Sequence, residues 1–415
     1  MSRSSRAGSL LVTVTGHDRP GVTSTLFASR AGIEASVVDV EQVVIRGRLV
    51  LGVLLRAAPG AEARVRSALE RSLVPMGLDV EVALDPGTPD GSPDPEGGAP
   101  ARRGRSHVTV LGHPLRPSAM GGIAGCIADY GGNIDRIVRI ADYPVTAVEL
   151  EVSGADAMLL RQQLTLAAVT LGVDVAVERS GLHRRAKRLV VLDVDSTLVQ
   201  GEVIEMLAAH AGCELEVAAV TGAAMRGEID FTESLRARVR LLAGLDAGVL
   251  DDVRRDLVLA RGARTFVRTL KRLDYRIAIV SGGFTQVTDA LVDELGIDYS
   301  AANTLEIVAG RLTGGLVGDV IDRAGKARAL ERFAAAAGVP VAQTVAIGDG
   351  ANDLDMLALA GLGIAYNAKP VVQVAADAAL NVPYLDAILF LLGISRHEVE
   401  DADAAEGIAP ETPPT

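Results

Sequence analysis

The sequence predicts a protein of mixed class, in which an α/β domain with a parallel sheet follows two smaller α+β domains. Three observations predict this order: a pattern repeated within residues 1–180, a linker at residues 85–105, and apolar strands that alternate with helices after residue 188. A chain of 415 residues is too long for one ordinary core, so two or three domains are expected. The hydrophobic share of 49% suffices for packed cores, which must be aliphatic because tryptophan is absent.

The first two domains are predicted from a repeat on either side of the linker. Residues 85–105, DPGTPDGSPDPEGGAPARRGR, are too rich in proline, glycine and charge to bury a core. The pattern before the linker begins VTVTGHDRPG at Val12, and the pattern after it begins VTVLGHPLRP at Val108. Each copy continues with a helix, two strand-like runs joined by a turn, a second helix and a last strand. We therefore expect a βαββαβ sandwich in residues 1–84 and another in residues 106–180.

The turn GHDRPG in the first copy resembles that of ACT domains, which are ferredoxin-like sandwiches that bind small amino acids. The second copy resembles a diverged ACT domain, with GHPLRP in place of that turn and GGNI after its first helix. Unpaired backbone N–H groups at a helix start suit a ligand carboxylate. The alternative is that these residues only form turns and helix caps. The resemblance implies self-association as a homodimer or higher homo-oligomer and an effector site near Gly16, His17, Asp18 and Asn133.

The third domain, residues 181–394, is predicted as a parallel sheet covered by helices. Three of its strands run into polar residues: DVD at 193–195, SGG at 281–283 and GDGAND at 348–353. In an open α/β sheet, ligands bind at the carboxyl ends of the strands, so these side chains are expected to share one crevice. Lys326 begins a helix on the same side. Alternatively, the first two aspartates only cap a strand-to-helix turn.

These residue types suit phosphoryl transfer. Buried carboxylates are costly unless they are paired or bind a cation. Mg²⁺ prefers hard oxygen ligands, and an aspartate can serve as a nucleophile towards phosphorus. Glycines leave backbone N–H groups free to approach a phosphate closely. The Walker motif GxxxxGK[ST] does not occur in the sequence, which disfavours an NTPase.

In this order, DVDST, SGG, the Lys326 helix and GDGAND resemble the four motifs of the haloacid dehalogenase (HAD)-like phosphatases. The resemblance implies a HAD-like Rossmannoid sheet with a helical cap. It implies that Asp193 is the nucleophile and Asp195 the general acid and base. It implies that Mg²⁺ is bound by Asp193, the backbone carbonyl of Asp195, and Asp349. It implies that the phosphate is contacted by Ser281, Gly282, Lys326 and Asn352. It implies supporting roles for Gly283 and Asp353.

A largely helical insertion at about 200–262 is predicted to cap this site. Its segments QGEVIEM and GAAMRGEIDFTESLRARV resemble the phosphoserine phosphatase family. Phosphoserine presents a carboxylate and an ammonium, for which a guanidinium and a carboxylate are suitable partners. Periodicity does not choose among Arg236, Arg238 and Arg240, which crowd one helix. The resemblance implies Glu202 for the amino group, Arg238 for the carboxyl group, and a pocket lined by Met225 and Phe231. Without it, Glu202 and Arg238 would read as ordinary surface charges.

The resemblance implies hydrolysis of O-phospho-L-serine to L-serine and phosphate through an aspartyl-phosphate, the last step of serine biosynthesis, with feedback by L-serine. Two alternatives stay open. One is a phosphotransferase that passes the phosphate to another alcohol such as homoserine. The other is an amino-acid-sensing regulatory protein with an inactive phosphatase domain, which the intact Asp193, Asp195 and Lys326 disfavour.

Composition and charge limit the partners. The net charge of −12 disfavours binding to nucleic acid or anionic membranes. No apolar run is long enough to span a bilayer and no signal-type segment is apparent, so we expect a cytoplasmic protein. Cys126 and Cys213 follow no metal-ligand spacing and are expected to be buried, reduced thiols. Residues 395–415 are polar and acidic and are expected to form a disordered tail.

Overall fold

The structure is a computed structural model that describes residues 8–29, 35–58, 60–85, 104–225 and 228–409. It divides into two compact units, residues 1–100 and 101–415. The predicted linker at 85–105 lies almost wholly outside the described residues. Among the helices within the described ranges, none is both long and apolar enough to cross a membrane.

The first unit has the predicted βαββαβ order. Its elements are β1 (Gly8–His17), α1 (Val22–Ala28), β2 (Ala35–Ile45), β3 (Arg48–Ala57), α2 (Glu62–Leu73) and β4 (Leu78–Asp85). The strands form an antiparallel sheet in the order β2-β3-β1-β4. Alternate residues of β3 are buried, and Val12, Leu51 and Leu69 pack together in an aliphatic core between sheet and helices.

The second unit begins with the second predicted sandwich. Its elements are β5 (Ser106–Gly112), α3 (Pro117–Asp129), β6 (Asn133–Ala141), β7 (Thr146–Ser153), α4 (Ala157–Leu171) and β8 (Asp174–Arg179). The strands lie in the order β8-β5-β7-β6, and each neighbouring pair is antiparallel. Helix α4 begins where the Asp156 side chain accepts hydrogen bonds from the N–H groups of Met158 and Leu159.

The remainder of the second unit is the predicted α/β domain with its helical insertion. The insertion contains α5 (Val203–Ala211), α6 (Glu214–Met225), α7 (Phe231–Leu241) and α8 (Val249–Asp256). The other elements are β9 (Leu189–Leu192), α9 (Ala263–Arg272), β10 (Arg276–Phe284), α10 (Thr285–Leu295), β11 (Tyr299–Val308), β12 (Arg311–Val317), α11 (Arg323–Ala337), β13 (Thr344–Gly348), α12 (Leu354–Leu359), β14 (Leu362–Tyr366), α13 (Pro370–Ala375), β15 (Ala378–Leu380), α14 (Ile388–Leu391) and α15 (Arg396–Ala405). Strands β11-β10-β9-β13-β14-β15 are parallel, and β12 pairs antiparallel with β11.

The sheets of the second sandwich and of the α/β domain are continuous, which the sequence did not predict. Strand β15 pairs antiparallel with β8 through Ala378 and Ala176, so that eleven strands form one sheet. The Asp174 carboxylate accepts hydrogen bonds from the backbone N–H and the side-chain amide of Asn381, both at 2.7 Å. Polar contacts therefore reinforce a junction at which the strands themselves pair only briefly.

The C-terminal segment differs from the expected disordered tail, because residues 396–405 form helix α15. Ser395 and Glu398 form a capping box at its start. The Asp403 carboxylate accepts hydrogen bonds from Arg268 at 2.7 Å and from Arg272 at 2.6 Å. The charges that made this segment look unable to fold are thus paired with the arginines of α9. Residues 410–415 lie outside the described residues.

The two cysteines are free thiols, as expected, but they are half-buried instead of fully buried. Cys126 packs beside the core of the second sandwich, and Cys213 beside the core of the helical insertion. Burial raises the pKa of both thiols, so both are held in the protonated form.

Candidate active site

The site begins where the buried strand β9 ends. The backbone N–H of Asp193 donates to the carbonyl of Ile347 at 2.8 Å, and its carboxylate accepts from the N–H of Val194 at 2.7 Å. The chain then turns tightly through residues 194–198, with Ser196 in the left-handed region at φ +56°. Asp195 therefore lies in a turn that follows the strand.

The Asp195 side chain is held from two sides. One carboxylate oxygen accepts from the backbone N–H of Val203 at 2.8 Å, at the start of α5. The other accepts from the Ser281 hydroxyl at 3.0 Å. Burial raises the pKa of Asp195, which favours its protonated form. Asp195 thus does cap a helix, as the simpler alternative required, and it also lies at the convergence of strands β9 and β10.

Lys326 forms the buried ionic centre of the site. Its Nζ lies 2.7 Å from a carboxylate oxygen of Asp193 and 2.6 Å from one of Asp353. Burial opposes the charge of this lysine, but the two carboxylates outweigh burial and raise the pKa of Lys326. Asp353 also accepts from the N–H of Gly350 at 3.0 Å. Lysine and aspartate thereby fix the loop that follows β13.

Three carboxylates can act together as metal ligands. Asp193, Asp349 and Asp353 each place one ligand oxygen within 4.8 Å of the others. Burial and the neighbouring Asp353 raise the pKa of Asp193, and the same two causes raise the pKa of Asp349 to about 6. Lys326 alone does not balance three negative charges. Hard oxygen donors with excess negative charge fit Mg²⁺, so the residues present suit that ion.

A cavity of about 780 Å³ opens between these strand ends and the helical insertion. Its predicted lining residues are Asp193, Asp195, Glu202, Phe231, Arg238, Gly282, Gly283, Asp349 and Asn352. Ser281, Lys326 and Asp353 are buried; Ser281 donates to Asp195, and Lys326 donates to Asp353. The side chain of Met225 lies outside the described residues. The structure thus brings the separated sequence motifs to one place.

Glu202 and Arg238 face this cavity from the insertion, whereas Arg236 and Arg240 are exposed. Of the three arginines among which periodicity does not choose, Arg238 is the one that lines this cavity. Burial, with Asp195 and Asp349 nearby, raises the pKa of Glu202 to about 7. Burial also lowers the pKa of Arg238, and the nearby Glu202 carboxylate opposes this. A carboxylate and a guanidinium close together can receive the ammonium and the carboxylate of an amino acid.

Sequence reasoning missed part of the cavity wall. The missed residues are Ile204, Thr221, Ala224, Ser234, Leu235, Arg323, Gly350, Ala351, Asn367, Lys369, Val371 and Val372. Asn367 follows β14 in the left-handed region at φ +47°, and its N–H donates to the carbonyl of Leu380 at 2.8 Å. The rule that used the ends of three strands would also have found Asn367, because β14 is their neighbour.

The expected effector residues are less clearly organised. Helix α1 begins at Val22 with Gly21 as its N-cap, so Gly16 and His17 end strand β1, Asp18 follows it, and none of the three forms a helix start. Asn133 begins β6, and its side-chain amide donates to Asp135 at 2.8 Å. The argument from backbone N–H groups at a helix start therefore does not apply to these residues.

Comparison with protein families gives three matches. Residues 190–358 match the haloacid dehalogenase-like hydrolases. Residues 9–83 and 105–178 each match ACT domains. These matches agree with the resemblances drawn from the motifs.

Individual relatives extend over nearly the whole chain. The phosphoserine phosphatase of Streptomyces coelicolor is 59% identical over 97% of this chain and 96% of its own. Phosphoserine phosphatase SerB2 of Mycobacterium tuberculosis is 52% identical over 96% of each chain. A solved structure of a probable phosphoserine phosphatase from Vibrio cholerae is 35% identical with a TM-score of 0.55, and covers 71% of this chain and 88% of its own.

Proposed function

The chain belongs to the phosphoserine phosphatase family of haloacid dehalogenase-like hydrolases, and we propose that its site hydrolyses O-phospho-L-serine through an aspartyl-phosphate on Asp193. One observation carries this proposal: a single cavity is lined by Asp193, whose carboxylate pairs with the buried Lys326, and also by Glu202 and Arg238. Asp193 and Lys326 suit a phosphate, and Glu202 with Arg238 suits the two charged groups of an amino acid. Phosphoserine combines both groups.

In the first half-reaction, a carboxylate oxygen of Asp193 attacks phosphorus in line with the serine oxygen. Asp195, whose pKa is raised by burial, donates its proton to that oxygen as the P–O bond breaks. Lys326 and the backbone N–H of Gly282, near the end of β10, stabilise the charge of the phosphoryl oxygens. Mg²⁺ held by Asp193, the Asp195 carbonyl and Asp349 would supply further charge neutralisation when bound.

In the second half-reaction, Asp195 is the ionised base that its own proton transfer has just created. It removes a proton from the water that attacks the aspartyl-phosphate, which releases phosphate and regenerates Asp193. The hydrogen bonds from Val203 and Ser281 keep Asp195 in place for both proton transfers. Phe231 lies at the cavity wall beside Gly282 and limits the access of other water.

The test is release of phosphate from L-phosphoserine with Mg²⁺, with EDTA, and by the Asp193→Asn variant. The proposal predicts release that requires the metal and falls at least about 100-fold in the variant. Addition of homoserine distinguishes hydrolysis from phosphotransfer, because a transferase would form phosphohomoserine at the expense of free phosphate. Phosphate release that EDTA does not reduce would contradict the requirement for Mg²⁺.

We also propose that L-serine regulates the enzyme through the ACT domains, near Gly16, His17, Asp18 or Asn133. Support comes from the two ACT matches and from a substrate whose product is an amino acid. Serine titration of the initial rate tests this in the wild type and in the Asp18→Ala and Asn133→Ala variants. Inhibition that one variant removes would identify the copy that binds serine. Purely competitive inhibition that both variants retain would contradict it.

We further propose self-association through the first ACT domain, with a second copy of the chain as the partner. Strand β2 is the edge of its sheet and is exposed along its length. Its exposed side chains include Val37, Val40, Val43 and Val44. Sedimentation should show a dimer or larger assembly that Val40→Lys with Val43→Lys dissociates. A wild type that stays monomeric at all concentrations would contradict the proposal.

A further inference from the structure

The hydroxyl group of Ser234 is unusual for a buried polar group. The residue is 1% exposed, and its Oγ has no hydrogen-bond partner within the part of the chain that the structure describes. Its backbone N–H donates to the carbonyl of Asp230 at 2.9 Å as in an ordinary helix, but its Oγ makes no such bond. Buried hydroxyls are nearly always paired, so this one needs a partner from elsewhere.

The position of Ser234 shows where that partner would come from. Phe231, Ser234, Leu235 and Arg238 are spaced by three or four residues on α7, and all four line the catalytic cavity. They therefore share one helix face, with Ser234 one turn before Arg238. The Nε of Arg238 is likewise buried without a hydrogen-bond partner among the described residues. Two unpaired donors on neighbouring turns of one helix face the same cavity.

The chemistry of the cavity selects the group that these donors would bind. A carboxylate has two oxygens, each of which accepts hydrogen bonds, and a guanidinium and a hydroxyl can each take one. An ammonium cannot pair with the guanidinium, and it has Glu202 available nearby. The phosphate is needed beside Asp193. The carboxylate of the substrate is the remaining group of phosphoserine.

We propose that Ser234 is a specificity-determining residue whose hydroxyl donates a hydrogen bond to the substrate carboxylate beside Arg238. The proposal rests on the proposed function, because it takes Arg238 as the partner of that carboxylate. It adds a second donor, one that has no hydrogen-bond partner among the described protein groups. A hydroxyl in this position favours ligands that have the carboxylate, because only these give it a hydrogen-bond partner.

The test is Ser234→Ala, with Ser106→Ala as the matched control. Ser106 is also 1% exposed with an unpaired Oγ, but it lies on β5 and not at the cavity. In Ser234→Ala, the KM for phosphoserine should rise about tenfold to a hundredfold with little change in kcat, since a charge-assisted hydrogen bond remote from phosphorus is lost. The inhibition constant of O-phosphoethanolamine, which lacks the carboxylate, should change less than about twofold. Both constants should be unchanged in Ser106→Ala.

Thermal unfolding separates this role from a structural one. Because Ser234 Oγ bonds to no described protein group, Ser234→Ala should melt no lower than the wild type. An unchanged KM, or equal weakening of phosphoserine and phosphoethanolamine, would overturn the proposal. A lower melting temperature with unchanged KM would show a structural hydroxyl. Failure of the wild type to hydrolyse phosphoserine would instead contradict the proposed function.

Discussion

The three carboxylates of the candidate active site have only one lysine among them to balance their negative charge. Asp193, Asp349 and Asp353 share one lysine, and burial raises the pKa of Asp193 and Asp349. The site therefore suits a bound cation, and its carboxylates keep Lys326 charged. Lys326 has a double role, because it pairs with Asp193, the proposed nucleophile, and also fixes the loop that carries Asp349.

Replacement of this lysine tests that double role. Lys326→Met keeps the length of the side chain but removes its charge, so at least about a 100-fold loss of rate is expected. The variant should also unfold more easily, since two buried carboxylates lose their partner. Phosphate release and urea unfolding measure the two effects. Lys271→Met, which removes only a surface ion pair with Asp298, is the control and should retain nearly full activity.

The pKa of Glu202 predicts a pH dependence for substrate binding. With a pKa of about 7, the carboxyl loses its charge as the pH falls below neutrality, and it then no longer attracts the substrate ammonium. The KM for phosphoserine should therefore rise below about pH 7 in the wild type. In Glu202→Gln the KM should be high and nearly constant, apart from titration of the phosphate itself. Parallel KM profiles in the two proteins would contradict this assignment.

The same shift has a consequence for stability. The folded-state pKa of Glu202 is raised above its ordinary value of 4.5, so the folded protein holds a proton that the unfolded chain has lost. The contribution of this group to stability is therefore full below about pH 4.5 and declines as the pH rises towards 7. Glu202→Gln should remove that decline in urea unfolding of the substrate-free enzyme.

At the level of elements, the strand ends were predictable and their local geometry was not. Asp193, Ser281 and Asp349 could be placed together because parallel strands end at one edge of a sheet. The turn at 194–198 could not be foreseen, because a spacing of two residues fits both a strand and this turn. Asn367 was missed because its strand ends in a single polar residue instead of a recognisable motif.

Helix α15 shows why composition alone misjudged the C-terminal segment. Its acidic residues looked like a solvated tail, yet Asp403 is 8% exposed and pairs with two arginines that lie more than 100 positions earlier. Arg396 is likewise buried, pairs with Asp386 at 3.1 Å, and lies 5.2 Å from the centre of the Tyr143 ring. Partners as distant in sequence as Arg268, Arg272 and Tyr143 leave no local signal.

The pairing of Asp403 predicts a measurable contribution to folding. Asp403→Ala leaves Arg268 and Arg272 without their shared carboxylate, and we expect a loss of about 1–3 kcal/mol. Asp401→Ala on the same helix removes a carboxylate that is 71% exposed, and it should cost less than about 0.5 kcal/mol. Urea unfolding of both variants makes the comparison. Equal stabilities would mean that α15 contributes little to the fold.

At the level of the whole molecule, the second ACT domain and the catalytic domain share one sheet. Strand β15 has only three residues, so no sequence pattern predicted that the two sheets are joined there. Around it, Arg161 pairs with Asp377, and Arg184 pairs with both Glu149 and Glu178. Burial alone would raise the pKa of Glu149, but His107 and Arg184 lower it to about 2. These contacts make the second unit a single structural body.

Loss of the Asp174 carboxylate tests whether the second sandwich and the catalytic domain unfold together. Asp174→Ala removes both hydrogen bonds to Asn381, and a loss of about 1–3 kcal/mol is expected. Calorimetry should show that the unfolding of the second sandwich begins to separate from that of the catalytic domain. Asp142→Ala, at an exposed hairpin of the same sandwich, serves as the control and should leave the unfolding profile unchanged. A profile for Asp174→Ala that matches this control would contradict the coupling.

The most direct test of the central claim is to trap the covalent intermediate. Phosphoserine labelled in its phosphate would be mixed with enzyme and Mg²⁺, quenched in acid within one turnover, and the labelled peptide identified. The account predicts an acid-stable, hydroxylamine-sensitive label on Asp193. In Asp195→Asn the label should accumulate further where the variant forms the aspartyl-phosphate faster than it hydrolyses it. A fully active enzyme whose label lies on another residue, or which forms no labelled protein at any time, would contradict the account.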